Sequence, residues 1–159
     1  MEHRCLSCGA ALPVGQLSPA VPLTVGNVMT ANPVTIGPED SLMQALALMR
    51  QKHIRRIPVV VADTLVGLLA AGDLNRAQPS VLSDSQQDFD RVMEETPVSR
   101  VMVQNLVTTT EDTPLIEAAR TLHSTKFGAL PVLRDGRLVG ILTDNDLARC
   151  VIELLTPPS

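Results

Sequence analysis

The chain contains one internal repeat, and this repeat limits the folds that it can adopt. Residues 25–76 align without a gap on residues 98–149, an offset of 73, and 17 of the 52 aligned pairs are identical. Two copies are too few for a solenoid, because each terminal copy would leave an apolar face uncovered. We therefore expect the two copies to pack on each other about a pseudo-twofold axis.

Both copies show the same order of short elements. An extended piece is followed by an amphipathic helix, then by two strands rich in β-branched residues and by a final helix. The extended pieces and strands are predicted at 33–36, 57–61 and 65–69 and again at 106–109, 130–133 and 138–142, with the final helices near Asp73 and Asp146. This order predicts an α+β fold of two βαββα units.

Local signals refine this outline. Thr113 is predicted to cap a helix whose first turn holds Pro114, and Asp135-Gly136 predicts a tight hairpin turn. The acidic stretch between the copies favours either a solvated linker or one helix ending near Glu95. The predicted parts are an N-terminal segment (1–23), a first repeat (24–76), a linker (77–97) and a second repeat (98–155).

Composition argues against nucleic acid and membranes as partners. The formal net charge is −4, with 13 Lys and Arg against 17 Asp and Glu, and only two aromatic residues are available for stacking on bases. The longest apolar stretch, 57–71, is broken by Asp63 and Gly67 and is too short to cross a bilayer. With no secretory signal in its first residues, the chain is expected to be cytoplasmic.

The sequence also lacks the common catalytic motifs. It contains no GxSxG, no P-loop and no HExxH, and neither His53 nor His123 adjoins a nucleophile motif. We therefore expect a protein that is not an enzyme.

Two motifs that occur in both copies resemble a known family. The first is Ile57-Pro58-Val59-Val60 with 65–69, repeated as Leu130-Pro131-Val132-Leu133 with 138–147; the second is the lead-in 25–29, repeated as 98–102. Together they resemble the cystathionine β-synthase (CBS) domain in tandem. The resemblance implies a homodimeric regulatory module that binds an adenosine nucleotide, such as AMP, ADP, ATP or S-adenosylmethionine, and acts on a separate, unknown protein.

In the second copy, Thr143 and Asp146 match the family's ribose and phosphate positions, with Asp144 between them. A carboxylate can accept both hydroxyls of a ribose, and the start of a helix favours anions. The alternative is that Thr143 and Asp146 form a capping box that needs no ligand.

The first copy keeps Asp73 but has Ala70 in place of the threonine, so the two clefts are predicted to be unequal. The resemblance assigns phosphate or adenine contacts to Arg55 and Arg56, although a solvated arginine pair beside a strand is also consistent with the sequence. Further nucleotide contacts implied by the resemblance are Ile57, Pro58, Ile141 and Ala45, of which Ala45 also fits a core spacer.

Cys5 and Cys8 form a CxxC pair, which supplies half of a structural zinc site. His3 could be a third ligand, and a second chain could complete four. A zinc-linked adaptor with vestigial nucleotide clefts is therefore an alternative function. A redox dithiol and a pair without a role are the competing interpretations. Cys150 is expected to pack in the core.

Overall fold

The structure is a computed structural model that describes residues 23–79 and 85–157. Its elements are α1 (Val25–Val28), β1 (Thr30–Ala31), α2 (Leu42–Lys52), β2 (Arg56–Val61), β3 (Thr64–Ala70), α3 (Ala71–Ala77), α4 (Gln86–Glu95), a 3-10 turn (Val98–Arg100), α5 (Leu115–Ser124), β4 (Ala129–Arg134), β5 (Arg137–Thr143) and α6 (Asp144–Leu155). The order of these elements confirms the α+β prediction. No helix among the described residues is long and apolar enough to span a membrane.

Two antiparallel hairpins, β2–β3 and β4–β5, form the sheet. The tight turn of the second hairpin has positive φ at Asp135 (51°) and Gly136 (80°), as the sequence predicts. Ala62 and Asp63 adopt the same left-handed conformation in the first hairpin without a glycine. The hairpins meet where Thr64 pairs with Arg137.

The pairings follow the sequence repeat. Thr64 and Arg137 are 73 residues apart, so this pair maps onto itself and marks the pseudo-twofold axis. The other pairings come as equivalents: Thr30↔Ile141 with Val103↔Leu68, Thr24↔Pro114 with Pro97↔Ser41, and Ile36↔Val59 with Thr109↔Val132. Leu68 and Ile141, also equivalent, are both buried in a small cluster between the copies.

The segments that precede each repeat are exchanged between the copies. We call residues 24–31 the first lead-in and residues 97–104 the second lead-in. Val25 of the first lead-in is fully buried with Leu122, Leu130 and Leu142 of the second copy. Val98 of the second lead-in is buried in the core of the first copy. Each core is therefore completed by the other copy's lead-in.

One glycine in each hairpin makes room for a lead-in methionine. A Cβ on Gly140 would lie 2.5 Å from Sδ of Met29, and one on Gly67 would lie 2.5 Å from Sδ and 2.9 Å from Cγ of Met102. Real Cβ atoms do not approach sulfur this closely, so a larger residue would displace the methionine. The repeated Val-Gly motif is thus explained by packing between the copies.

Some local predictions were wrong. The pieces 33–36 and 106–109 are not strands, because only Ile36 and Thr109 form single bridges. Thr113 does not cap α5: Pro114 occupies that position, and the Thr113 hydroxyl is 3.0 Å from the hydroxyl of Thr110. The helix predicted between the copies is present as α4.

The alternative of a wholly solvated linker was wrong for the inner face of α4. Met93 is fully buried and Phe89 packs against the core of the first copy. The linker helix therefore covers part of that core. Its N-terminus is capped by Ser85, whose hydroxyl accepts a hydrogen bond from the Asp88 amide.

We expect Gly67→Ala to lower the free energy of unfolding by about 1–3 kcal/mol, because the new methyl group overlaps Met102. The matched control is Gly72→Ala on α3, where a Cβ would come no closer than 3.6 Å to Arg76. This control should stabilise by about 0.5–1 kcal/mol, since alanine favours helix. Urea unfolding followed by far-UV circular dichroism measures both; equal effects would contradict the packing argument.

Candidate functional site

The start of α6 follows directly on the last residue of β5. Thr143 caps the helix: its hydroxyl accepts from the Asp146 amide (3.3 Å), and Asp146 Oδ2 accepts from the Thr143 amide (3.0 Å) and hydroxyl (3.1 Å). The capping box considered from the sequence is therefore present. A capping box and a ligand contact are compatible, because Asp146 has a second carboxylate oxygen.

That second oxygen, Oδ1, has two partners from different parts of the fold. It accepts from the hydroxyl of Thr30 on the first lead-in (3.0 Å) and from Nη2 of Arg149 on α6 (2.7 Å). Asp146 is only 3% exposed, and it is the one buried charged side chain in the described part of the chain. Its four acceptor contacts offset the cost of burying a carboxylate.

A cavity of about 400 Å³ adjoins this carboxylate. It lies between α1 and α6, and its lining includes Asn27, Met29, Asp146 and Arg149. The volume falls within the usual range for small-molecule sites. The polar side chains of the lining come from both copies, since Asn27 belongs to the first lead-in and Arg149 to the second repeat.

The equivalent carboxylate of the first copy has a simpler environment. Asp73 is paired with Arg76 one turn later, and their side chains are 20% and 75% exposed. Ala70 caps α3 without a side-chain hydrogen bond, and Val103 stands where Thr30 stands in the other cleft. Asp73 therefore lacks both hydroxyl partners of Asp146.

Arg56 reaches across to the second copy. Its Nε donates to the carbonyl of Phe127 (2.7 Å), and its guanidinium lies where a Cβ on Gly128 would stand. This Cβ position on Gly128 is also 2.8 Å from Oδ2 of Asp144, whose side chain is exposed in the first turn of α6. Gly128 has φ +63°, so both its conformation and its crowding favour glycine. Although Arg56 belongs to the same repeat as Asp73, its side chain lies near the start of α6.

The remaining predicted nucleotide contacts differ in their exposure to solvent. Arg55 is exposed. Ala45, Ile57 and Pro58 are fully buried, and Ile141 is 6% exposed. Ala45 packs in the first core cluster, where it acts as a spacer between helix and sheet.

The predicted zinc ligands Cys5, Cys8 and His3 lie outside the described residues. Within residues 23–79 and 85–157, no three His, Cys, Asp or Glu side chains are grouped so that they could hold a metal ion. Cys150 is partly exposed and borders the cavity beside Asp146, so its prediction as core was wrong.

Comparison with known proteins settles the family. The model of the CBS domain matches residues 25–80 and again residues 98–153. The chain belongs to the CBS domain family. A CBS domain-containing protein of Dictyostelium discoideum is 35% identical over 136 residues, which cover 84% of this chain and 94% of that protein.

Solved CBS structures are also similar. CBSX2 of Arabidopsis thaliana, in complex with AMP, is 31% identical with a TM-score of 0.70 and covers 84% of this chain and 99% of its own. The CBS domain pair of protein MJ0100, in complex with 5-methylthioadenosine and S-adenosyl-L-methionine, is 25% identical with a TM-score of 0.68 and covers 82% of this chain and 97% of its own.

Some enzymes contain a similar pair as a minor part. The matched region is 24% of a homoserine O-acetyltransferase from Methanohalobium evestigatum and 20% of an inosine-5'-monophosphate dehydrogenase from Thermoplasma acidophilum. The likeness to these enzymes is therefore confined to a small share of each.

Sequence reasoning missed three contributors to this CBS pair's cleft: Thr30, Arg149 and Gly128. Thr30 is 116 residues from Asp146, and only the exchange of lead-ins brings them together. Arg149 was visible in the repeat, where it aligns with Arg76, and its i, i+3 spacing from Asp146 is a usable signal.

We expect Asp146→Ala to lower the free energy of unfolding by about 2 kcal/mol, because the amide and hydroxyl of Thr143 lose their acceptor in the capping box. Asp73→Ala should cost less than about 1 kcal/mol, since its pairing with the largely exposed Arg76 is weak. Urea midpoints of both variants provide the comparison. A larger loss in Asp73→Ala would contradict the difference between the clefts.

Proposed function

We propose that this CBS pair binds an adenosine nucleotide and conveys its occupancy to a separate regulated protein. The observation that carries the proposal is the carboxylate of Asp146, held between the start of α6 and Thr30 of the other repeat beside a cavity of about 400 Å³. The AMP complex of CBSX2 and the S-adenosyl-L-methionine complex of the MJ0100 pair support the ligand class. The chain would thus regulate rather than catalyse.

The ribose would bind at Oδ1 of Asp146. Its two hydroxyls would replace the hydroxyl of Thr30 and Nη2 of Arg149, while the Thr143 contacts to Oδ2 stay in place. This exchange conserves the number of hydrogen bonds to the carboxylate, so binding leaves no buried acceptor unpaired. Arg149, which is half exposed at the cavity, would then be free to approach a phosphate.

Arg56 would complete the phosphate side of this cleft, because the hydroxyl hydrogen of Thr143 stays committed to Oδ2 of Asp146. Arg56 brings a cation near the start of α6, although Asp144 beside it offsets part of that charge. At the other cleft, the position equivalent to Arg56 is Ala129, which supplies no cation for a phosphate. We therefore expect the Asp146 cleft to prefer a nucleotide with a phosphate, and the Asp73 cleft to prefer a nucleoside without one.

Signalling would begin with Thr30. This residue belongs to β1, which pairs with β5, and its lead-in completes the core of the second copy. Displacing its hydroxyl from Asp146 would loosen the lead-in from that core. A ligand shifts such an equilibrium only by its difference in affinity for the two arrangements.

The first expected outcome is stabilisation by ligand. An adenosine nucleotide at about 100 times its Kd should add roughly 2.7 kcal/mol and raise Tm by several degrees. Calorimetry or circular dichroism with AMP, ADP, ATP and S-adenosylmethionine measures this, with GMP as the control for the base. No shift with any adenosine compound would overturn the proposal.

The second expected outcome locates the site. Asp146→Asn replaces an acceptor oxygen by a donor amide and should abolish the AMP shift, measured against the variant's own Tm. Asp135→Asn is the matched control, because Asp135 lies in the hairpin turn at the far end of β5. An AMP shift that survives in Asp146→Asn but disappears in Asp73→Asn would move the phosphate-bearing ligand to the other cleft.

We also propose that the chain is a homodimer in solution. Ile152 and Leu155 on α6 are 65% and 60% exposed, which is unusual for such side chains on one helix. Ile152→Glu should give a monomer by size-exclusion chromatography with light scattering, while Val61→Glu, at a valine on β2 that is 51% exposed, should not. A monomeric unaltered chain would contradict this proposal.

A further inference from the structure

The first repeat carries a concentration of positive charge where α2 ends and β2 begins. Four of the 13 Lys and Arg residues of the chain fall within residues 50–56, and residues 41–62 contain no Asp or Glu. The chain as a whole has a formal net charge of −4. The local excess of cations is therefore opposite in sign to the charge of the whole protein.

The fold brings a cation of the second repeat to the same place. Nε of Arg56 donates to the carbonyl of Phe127 (2.7 Å), so the loop that contains Lys126 lies beside the first repeat. Four cations around this contact are exposed to solvent. We call them the basic edge: Arg50, Lys52, Arg55 and Lys126.

The fold does not require these charges. Each residue of the basic edge aligns with a residue of the other repeat that carries no formal charge at neutral pH; the aligned residues are His123, Thr125, Gly128 and His53. The dipole of α2 favours cations in its last turn, but α5 ends with only His123 there. Folding therefore does not account for the basic edge.

The basic edge is also not neutralised by ion pairs within the described part of the chain. None of the ion pairs between described residues includes one of its four members. The helix α4 packs along α2 and is acidic, but Asp88 is paired with Arg91 (3.3 Å) and Asp90 accepts from Gln86 (2.9 Å). The surface thus presents unbalanced positive charge to solvent.

The position of these cations favours a partner whose negative charges are spread along a chain. The described lining of the cavity beside Asp146 includes no member of the basic edge. A segment with several carboxylates can contact the end of α2 and Lys126 at the same time. Nucleic acid fits less well, because the net charge is negative and only two aromatic residues are available for stacking on bases.

We propose that the basic edge docks an acidic segment of another protein. Complementary charge steers the encounter and selects the partner, while each exposed ion pair adds little affinity. Because the edge lies outside the cavity beside Asp146, docking does not compete with a ligand there. The proposal holds whether or not that cavity binds a nucleotide.

Fluorescence polarisation of fluorescein-labelled octaglutamate tests the docking, with labelled octaglutamine as the uncharged control. The paired change Lys52→Gln and Lys126→Gln should weaken octaglutamate binding by about fivefold to tenfold, because two exposed ion pairs are lost. The matched control, Arg100→Gln with Arg137→Gln, removes the same charge at two exposed positions outside the edge and should change Kd by less than about twofold. Circular dichroism of each variant confirms that it is folded.

A thermal measurement separates the basic edge from the nucleotide site. The rise in Tm that ATP gives with the unaltered chain should be retained in the Lys52 and Lys126 variant. Loss of that rise would assign the edge to the phosphates of the nucleotide and overturn the proposal. If ATP gives no rise with the unaltered chain, the proposed nucleotide function fails, and the octaglutamate titration still decides the docking surface.

Three results of the titration would also overturn the proposal. Absence of octaglutamate binding to the unaltered chain would mean that the edge is only a solvated surface. Equal losses in the two paired variants would mean that octaglutamate responds to overall charge. Tighter binding of labelled octathymidylate, with the same dependence on Lys52 and Lys126, would assign the edge to nucleic acid.

Discussion

The fold depends on the close approach of each lead-in to the other copy's hairpin. Met29 lies against Gly140 and Met102 against Gly67, at positions that no side chain can share. Since Val25 and Val98 then enter the opposite cores, neither core is complete without the other repeat. We therefore expect the two halves to unfold as one cooperative unit, although the sequence repeats as two.

The same exchange builds the candidate site. Thr30 reaches Asp146 only because the first lead-in pairs with β5. Arg56 crosses in the same direction, from the first repeat to Phe127 of the second. A ligand at this carboxylate would contact both halves of the chain at once, which is the arrangement that a reporter of occupancy requires.

Much of the fold could be predicted because its signals are local. Runs of apolar and β-branched residues located the four long strands to within one residue, and Asp135-Gly136 identified its turn because the left-handed conformation there favours those residues. Burial of Met93 could not be predicted, since an apolar residue in an acidic stretch does not indicate which surface it meets. The exchange of lead-ins was hidden for the same reason: their apolar residues fit either core.

At the site, the residue types were enough to propose Thr143 and Asp146 but not their partners. Capping and ligand contact use the same threonine and aspartate, so the sequence alone could not separate them. The structure divides the two carboxylate oxygens, with Oδ2 in the cap and Oδ1 facing Thr30 and Arg149. The contact of Arg56 with Phe127 could not be predicted, because the backbone pairing of Arg56 with Ala70 does not indicate where its long side chain ends.

Thr64 and Arg137 occupy equivalent positions in the two repeats, and they pair with each other. This pairing bears on the origin of the chain. In a polypeptide with a single repeat, this residue would pair with the same residue of a second molecule across a true twofold axis. Its lead-in could then complete only the core of a second molecule, so a half-length ancestor would have been a swapped dimer. Fusion of two such genes would leave the contacts unchanged and free each half to diverge, as Ala70 and Thr143 have done.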